Sequence, residues 1–157
     1  YIVYRLSGKN WIKIKQISKN TTVSFVSSKL RAGTEWKYKV VAYKKHGNSA
    51  VKNVGSQISS VTLPTAPVVV IRAGKGSVTL GWNGVTGADG YEVYMRTTKN
   101  GKSTKIATLK KVSKVKYTKN GLAKNKTYYV NVRAFKKDAK SRKYYSSYST
   151  VKAVKAK

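Results

Sequence analysis

Few side chains in this sequence are able to act as acids, bases or nucleophiles. The 157 residues include four carboxylates, one His and no Cys. Acid–base cleavage of glycosides requires two carboxylates placed against one bond. The four carboxylates, Glu35, Asp89, Glu92 and Asp138, fall in separate predicted segments. We expect Asp89 and Glu92 to bond a turn and to form a surface ion pair, and we predict that the chain is not an enzyme.

The one imidazole does not indicate a metal site. His46 lies within Lys45-His46-Gly47-Asn48, in a predicted loop with no acid or second His beside it. A zinc site takes three or four protein ligands, drawn mainly from Cys and His. We therefore expect His46 to be a solvated residue, and we predict neither a bound metal nor a cofactor.

The aromatic and cationic side chains of this sequence indicate ligand binding and not catalysis. Two segments, 91–96 and 128–135, alternate between apolar and larger polar or aromatic residues, as half-buried strands do. The alternation predicts that these side chains point inward: Tyr91, Val93, Met95, Tyr128, Val130, Val132 and Ala134. The outward positions combine rings that stack on sugars with cations that hold phosphates. The alternative is that these rings only stabilise a sheet as cross-strand pairs. The candidate ligand-binding residues are Tyr94, Arg96, Tyr129 and Arg133, with Tyr4, Lys37 and Lys39 at matching positions in an earlier segment.

A repeated pattern predicts the elements that hold these residues. It begins at Leu30 and again at Leu122, and in both copies a large aromatic residue, Trp36 or Tyr128, follows after six positions. Apolar residues then occupy every second position, which indicates a strand. Gly33 and Asn125 occupy the same predicted turn before that strand, and Asn100-Gly101 predicts a tight hairpin turn with positive φ.

The second copy resembles a known family. A strand at 67–71, a strand at 77–82 that ends in Trp82 and the turn at 87–91 precede Leu122 and Tyr128, and this combination resembles bacterial fibronectin type III modules. The resemblance implies an all-β chain of tandem immunoglobulin-like β-sandwiches, in which a Tyr hydroxyl bonds back to the corner before its strand. It implies a partial module at 1–63 (strands C to G), a linker at 64–67 and a complete module at 68–157. Trp36 stands where the family prefers Tyr.

The first module matches the family only from strand C onward. Residues 1–4 align with 91–94, so the two strands that precede strand C in the second module have no counterpart. A sandwich without them leaves the face of Trp36, Tyr38 and Val40 half covered, at a cost comparable to the stability of a domain. We expect the sequence to be a fragment of a longer chain. The alternative is that a neighbouring chain donates the strands at the open edge near Tyr1.

The charge is extreme. Lys and Arg total 34 against four acidic residues, which sets the formal net charge at +30. Solubility needs a net charge of only about 2 to 8. Most of the cations are Lys, a flexible point charge that suits diffuse attraction better than sequence-specific contacts to nucleic acid. We predict an anionic partner, and for an exported Gram-positive module that is the teichoic acid of the cell wall. The alternative is that the charge reflects the host proteome or repels neighbouring copies.

These observations together predict a non-catalytic extracellular module of a bacterial surface or secreted protein, associated with an anionic cell-wall polymer or polysaccharide. Two alternatives stay open: a structural stalk or filament segment, and an accessory domain of a secreted glycan-degrading enzyme. The sequence has no apolar run of the length that spans a membrane.

Overall fold

A computed structural model describes all 157 residues. It contains thirteen β-strands and no helix, so the all-β prediction is confirmed and no helix is available to cross a membrane. The chain divides into two compact units. Unit 1 comprises Tyr1–Arg31 and Glu35–Thr62, and unit 2 comprises Ala32–Thr34 and Leu63–Lys157.

Unit 1 contains a single antiparallel sheet of five strands. The strand order is β2-β1-β3-β4, and β5 pairs with the first half of the long β3. The strands are β1 (Ile2–Ser7), β2 (Asn10–Gln16), β3 (Glu35–His46), β4 (Ser49–Val54) and β5 (Ile58–Val61).

Unit 2 contains two antiparallel sheets. The three-stranded sheet has the order β10-β7-β6, and the five-stranded sheet has the order β12-β11-β8-β9, with β13 beside the first part of β11. The strands are β6 (Val69–Gly74), β7 (Ser77–Trp82), β8 (Gly90–Arg96), β9 (Thr104–Leu109), β10 (Lys116–Asn120), β11 (Thr127–Lys137), β12 (Lys143–Tyr145) and β13 (Lys152–Lys155).

The five-stranded sheets of the two units follow the same plan. Their strands occur in the same order, and β1 and β8 carry a register shift at the same place, between Val3 and Tyr4 and between Val93 and Tyr94. Since the side-chain period of a strand is two, the matching register places matching residues on the same face of each sheet.

The core of unit 2 lies between its two sheets. Val78 and Leu80 of β7 and Val93 of β8 are fully buried there, and Trp82 meets the ring of Tyr91 edge to face at 5.2 Å between centroids. The predicted inward residues of β11 also belong to this core: Tyr128, Val130, Val132 and Ala134. The alternation in the sequence therefore identified the inner face correctly.

The turns follow the predicted chemistry with one exception. Gly33 and Asn125, which the sequence places in the same turn, have almost the same positive φ, 60° and 62°. Positive φ strains most L-residues, but Gly and Asn tolerate it. The exception is Asn100-Gly101, where neither residue has positive φ. The connection from β8 to β9 runs from 97 to 103 and is too long to need a two-residue turn.

The corner before β11 is closed by a tyrosine hydroxyl. The backbone N–H of Ala123 donates to the Tyr128 hydroxyl at 3.1 Å, as the resemblance implied. In unit 1 the residue in this position is Trp36, whose indole Nε1 is buried without a hydrogen-bond partner. An indole has no acceptor for a backbone N–H, so the two corners are not equivalent.

Removing the Tyr128 hydroxyl tests the contribution of this corner. We expect Tyr128→Phe to destabilise unit 2 by about 1–2 kcal/mol, because the Ala123 N–H loses its acceptor. Urea unfolding followed through the backbone amide signals of β11 measures this. The neighbouring Tyr129→Phe is the matched control and should change stability by less than about 0.5 kcal/mol. Equal effects of the two substitutions would contradict the corner's role.

Candidate functional site

The polar centre of unit 2 is Glu92, on the face of β8 that points away from the hydrophobic core. Its register partners are Arg133 on β11 and Thr108 on β9. Although it faces away from the core, Glu92 is 0% exposed. Glu92 forms ion pairs as expected, but the expectation that they lie on the surface is wrong, because other side chains cover this face of the sheet as well.

Both oxygens of the Glu92 carboxylate are occupied. Oε2 accepts from Arg133 Nη2 at 2.8 Å and Nε at 3.2 Å, and from the Tyr94 hydroxyl at 2.8 Å. Oε1 accepts from Lys143 Nζ at 3.0 Å, with Lys105 Nζ and the Tyr145 hydroxyl farther away at 3.4 Å each. We call these six residues the Glu92 cluster: Glu92, Tyr94, Lys105, Arg133, Lys143 and Tyr145.

Aromatic rings surround the guanidinium of Arg133. The Arg133 Cζ atom lies 3.6 Å from the ring centroid of Tyr145, 5.1 Å from that of Tyr148 and 5.2 Å from that of Tyr94. Tyr94 and Tyr148 also meet edge to face, at 5.1 Å between centroids. A guanidinium between π-faces gains cation–π attraction, which strengthens when water is excluded.

A serine-anchored segment places these rings. Residues 146–151 connect β12 and β13, which both pair with β11. The buried Ser146 and Ser149 accept hydrogen bonds from the backbone N–H groups of Ala134 and Val132 at 2.9 and 3.0 Å. Their own N–H groups donate to the carbonyls of the same two residues. This anchoring holds Tyr145 and Tyr148 over the outer face of β11.

The charges of the cluster depend on one another. Burial alone would raise the pKa of Glu92, but the hydrogen bonds from Arg133, Tyr94 and Lys143 outweigh burial and lower the pKa to about 2. Burial and the bond to Glu92 raise the pKa of Tyr94. For Arg133, burial opposes the charged form, but the bond to Glu92 prevails and raises the pKa. The carboxylate and guanidinium therefore both stay ionised at neutral pH.

The cluster uses two of the candidate ligand-binding residues internally. Tyr94 is only 9% exposed, and Arg133 is bonded to Glu92 and stacked on Tyr145. The expectation of one open patch on this face is corrected, because residues 143–148 cover its centre. Binding of a ligand at the remaining accessible rings stays a prediction.

The other two candidates of unit 2 lie beside the cluster. The Cζ atom of Arg96 is 5.9 Å from the ring centroid of its register partner Tyr129. Arg96 also donates to the Lys99 carbonyl at 3.1 Å and to the Ser103 hydroxyl at 2.9 Å. The structure thus brings Arg96 and Tyr129 together as a half-buried pair.

In unit 1, two of the three candidates meet on the outer face of the sheet. Tyr4 and Lys39 are register partners, and Lys39 Nζ lies 5.5 Å from the Tyr4 ring centroid and 4.6 Å from that of Trp11. Lys37 is exposed, two positions before Lys39 on β3. Unit 1 has no counterpart of Glu92, since the matching position, two residues before Tyr4, is occupied by Ile2.

Sequence analysis missed Trp11, Lys105, Lys143, Tyr145 and Tyr148. A signal was present in the run Lys143-Tyr144-Tyr145-Ser146-Ser147-Tyr148, where serines separate aromatic residues. Such a run does not reveal which strand it covers, and that depends on the pairing of β12 and β13 with β11.

Two further acidic residues, Asp89 and Asp138, have cationic partners. Asp89 accepts from Lys136 Nζ at 2.9 Å and from the Lys137 N–H at 2.7 Å, so it forms the expected ion pair, but its side chain bonds β11 and not its own turn. Asp138 accepts from Arg142 Nε at 2.7 Å. His46 is exposed as expected, but it is the last residue of β3 and not part of a loop. No three His, Cys, Asp or Glu side chains come together in a way that could hold a metal ion.

The two-unit architecture is found in known proteins. A segment of two fibronectin type III domains from chicken tenascin matches 99% of this chain and 83% of its own length, with a TM-score of 0.66 and 20% identity. The chain has the fold of tandem fibronectin type III domains. The FN1–FN3 domains of chicken CNTN1 match 99% of this chain and 55% of that protein, with a TM-score of 0.53 and 16% identity.

The sequence is also similar to part of a bacterial enzyme. Exoglucanase B of Cellulomonas fimi is 28% identical, over an alignment that covers 85% of this chain and 12% of the exoglucanase. The chain thus spans about an eighth of that relative's length. No protein-family model matches the chain.

Acid titration tests the Glu92 cluster. Because the folded pKa of Glu92 lies below its ordinary value of 4.5, the ionised carboxylate stabilises unit 2 above about pH 4.5. This contribution is lost as the pH falls from about 4.5 towards 2, by an amount on the order of 2 kcal/mol. Urea unfolding at several pH values measures how steeply the free energy of unfolding of unit 2 changes with pH.

Glu92→Gln is the control for that titration. It should destabilise unit 2 at pH 7, because Arg133 and Lys143 lose their counter-charge, and it should flatten the slope between pH 4.5 and 2. Burial opposes ionisation of Asp138, but hydrogen bonds from Arg142 prevail and lower its pKa. Asp138 is present in both proteins, so it contributes equally to the pH dependence of both. If the free energy of unfolding of unit 2 changed equally with pH in the unchanged chain and in Glu92→Gln, the assignment of this pH dependence to Glu92 would be wrong.

Replacing the guanidinium while keeping its charge tests the stacking. We expect Arg133→Lys to cost about 2 kcal/mol, because an ammonium makes neither the two-nitrogen contact to Glu92 nor the stack on Tyr145. Thermal unfolding of unit 2 measures the change. Arg96→Lys on the adjacent strand is the matched control, with an expected cost below about 1 kcal/mol. If Arg133→Lys left the stability of unit 2 unchanged, the positive charge of residue 133 alone would account for its contribution, and the stacking would not be needed.

Proposed function

We propose that this chain is a non-catalytic extracellular module of a bacterial surface or secreted protein, and that it associates with an anionic cell-wall polymer through its lysine surface. A module role is supported by the arrangement of the acidic residues, because this chain brings together neither two free carboxylates nor three metal ligands of the kind that hydrolysis needs. In this chain each carboxylate of unit 2 already has a cationic partner.

The observation that carries the proposal is that the acidic residues of unit 2 are already paired with cations. Glu92 is fully buried, Asp89 is paired with Lys136, and Asp138 is paired with Arg142. Only Glu35 remains to offset a surface that carries most of 34 cations. Like charges at this density repel one another and destabilise the fold, and a polyanion relieves that cost.

The cations are distributed and not gathered in one cleft. Lys44-Lys45 is exposed near the end of β3 in unit 1, and Lys110-Lys111 is exposed after β9 in unit 2. Flexible ammonium groups on separate surfaces attract a polymer wherever its phosphates lie. This distribution favours diffuse attraction to a teichoic acid or similar polyanion over one specific ligand site.

A second candidate is an accessory domain of a secreted glycan-degrading enzyme. The similarity to part of an exoglucanase favours it, because the matched segment is a small part of a much longer enzyme. The two proposals are compatible if the polymer is wall-bound. They differ in whether the partner is recognised by its charge or by its sugar rings. A stalk or filament role remains a further alternative and requires no binding.

Sedimentation with purified Gram-positive cell walls tests the charge proposal. Binding should weaken steeply with salt and be lost when teichoic acid is removed, because screening reduces attraction between exposed charges. The double variants K44Q/K45Q and K110Q/K111Q should each lower the binding constant by a similar factor, up to about thirtyfold if each Lys contributes roughly 1 kcal/mol near an anionic surface.

The charge-preserving variant K110R/K111R is the control and should bind as the unchanged chain does. Salt-insensitive binding, or complete loss on changing one lysine pair alone, would overturn diffuse attraction and indicate a specific sugar site. Binding to walls without teichoic acid, or to neutral glucan, would favour the accessory-domain candidate.

A further inference from the structure

The outer face of the unit 1 sheet carries aromatic rings and ammonium groups side by side. Tyr4 lies on β1, and its register partners on the two neighbouring strands are Lys13 of β2 and Lys39 of β3. Lys39 Nζ lies between the rings of Tyr4 and Trp11, at 5.5 and 4.6 Å from their centroids. Lys37 points to the same face, because it lies two positions before Lys39 on β3. We call these five residues the Lys39 site.

The ammonium groups of the Lys39 site have no counter-charge. All ion pairs of the chain lie in unit 2, so Glu35, the one acid of unit 1, is in none of them. Lys13 reaches only the amide oxygen of Gln16, at 3.4 Å. Lys39 is half-buried, so it has lost part of its hydration, which the two rings replace only in part. A half-buried ammonium without a counter-charge favours an anionic ligand.

Unit 2 shows what fills the corresponding face when it is closed to a ligand. The register partners Glu92 and Arg133 form an ion pair there, beneath residues 143–148. In unit 1 the corresponding register partners are two apolar residues, Ile2 and Val41. All six residues of β4 are exposed, so the segment that follows β3 does not fold over the sheet. The outer face of unit 1 therefore has neither the acid nor the cover that unit 2 has.

We infer that the Lys39 site binds an acidic saccharide, an assignment that rests on the proposed association with an anionic polymer and names the face that contacts it. The apolar side of a sugar ring packs on the accessible part of the Trp11 indole. The anionic group that the ring carries or adjoins lies over Tyr4, between the ammonium groups of Lys13 and Lys39. Lys37 contacts the next charge along the polymer.

The combination of rings and ammonium groups selects this class of ligand. A neutral glucan offers sugar rings to Trp11 but leaves Lys39 without a counter-charge. An acidic peptide offers charges but no rigid apolar ring face. A single-stranded nucleic acid offers both phosphates and flat bases, but it is bound through accessible aromatic rings that each stack one base, whereas Tyr4 and Trp11 are both half-buried.

The test titrates short probes into the complete 157-residue chain and follows the indole N–H signals by NMR spectroscopy. Trp36 and Trp82 have buried indole nitrogens and serve as internal references for Trp11. Two probes combine rings with charge: tetragalacturonate, with carboxylates, and a glucosylated glycerol phosphate tetramer, with phosphates. The stronger of these two identifies the source of the anionic group.

Three further probes lack one of the required features. They are neutral cellotetraose, a tetraglutamate peptide and a four-residue oligothymidylate. We expect the stronger acidic saccharide to shift the Trp11 signal, to leave the Trp36 and Trp82 signals unchanged, and to bind at least about tenfold more tightly than any of these three, because only it meets both the indole and the ammonium groups.

Matched variants assign the binding to this face. Trp11→Leu removes the ring and should weaken binding about fivefold to tenfold, whereas Trp11→Phe keeps a ring and should retain most of the affinity. Lys39→Gln should weaken binding by about tenfold or more. Lys15→Gln removes the same charge from the opposite face of β2, where Lys15 pairs with Val3, and should change the affinity by less than about twofold.

Tetraglutamate or oligothymidylate bound as tightly as the acidic saccharides overturns the site and leaves only diffuse attraction, and so does an equal loss with Lys15→Gln and Lys39→Gln. Equal affinity for cellotetraose overturns the acidic class of ligand. A Trp11 signal that no probe shifts also overturns the inference. Binding of tetragalacturonate at Trp11 by a chain that does not sediment with cell walls supports the site and contradicts the cell-wall proposal, so the two fail separately.

Discussion

Strands β8 and β11 must bury both of their faces, and the arrangement of unit 2 depends on that constraint. The inner face is covered by apolar residues of β6, β7 and β10. The outer face carries Glu92, a carboxylate that would cost several kcal/mol if it were buried without cationic partners. Arg133 and Lys143 supply the cationic partners, and Ser146 and Ser149 hold the segment that follows Tyr145 and contains Tyr148 against β11.

The buried carboxylate also affects the outside of the molecule. Most small domains offset surface lysines with surface acids, but unit 2 keeps its acids in ion pairs with Arg133, Lys136 and Arg142. The exposed surface is therefore positive over both units. The expected affinity for polyanions follows from the scarcity of acidic residues in the sequence and from the pairing of those in unit 2 with cations.

Units 1 and 2 contain the same arrangement of five strands, but different residues pack on the two faces of each sheet. Both have the same strand order and the same register shift. In unit 1 the outer face is held by Lys39 between the rings of Tyr4 and Trp11, with no buried carboxylate. Its inner face is open at Val40, so unit 1 gains less hydrophobic stabilisation from folding than unit 2 does. We expect unit 1 to be the less stable of the two.

The sequence by itself determined the class of fold and the inner faces of the strands. Strand side chains alternate with a period of two, so Tyr91, Val93 and Val130 were identified as core residues without coordinates. The family resemblance implied the corner at Tyr128, and the shared turn of Gly33 and Asn125 followed from the repeated pattern. These features depend on neighbours in the chain, and a sequence displays its neighbours directly.

Only the tertiary structure decided how the outer faces are used. Alternation shows that Glu92, Tyr94 and Arg133 point away from the core, but it does not show whether anything covers them. The cover comes from Lys143, far along the chain from Glu92, and from rings placed by the pairing of β12 and β13 with β11. Burial depends on such long-range contacts, so two of the four residues expected to form a binding patch on unit 2, Tyr94 and Arg133, lie instead around a buried carboxylate.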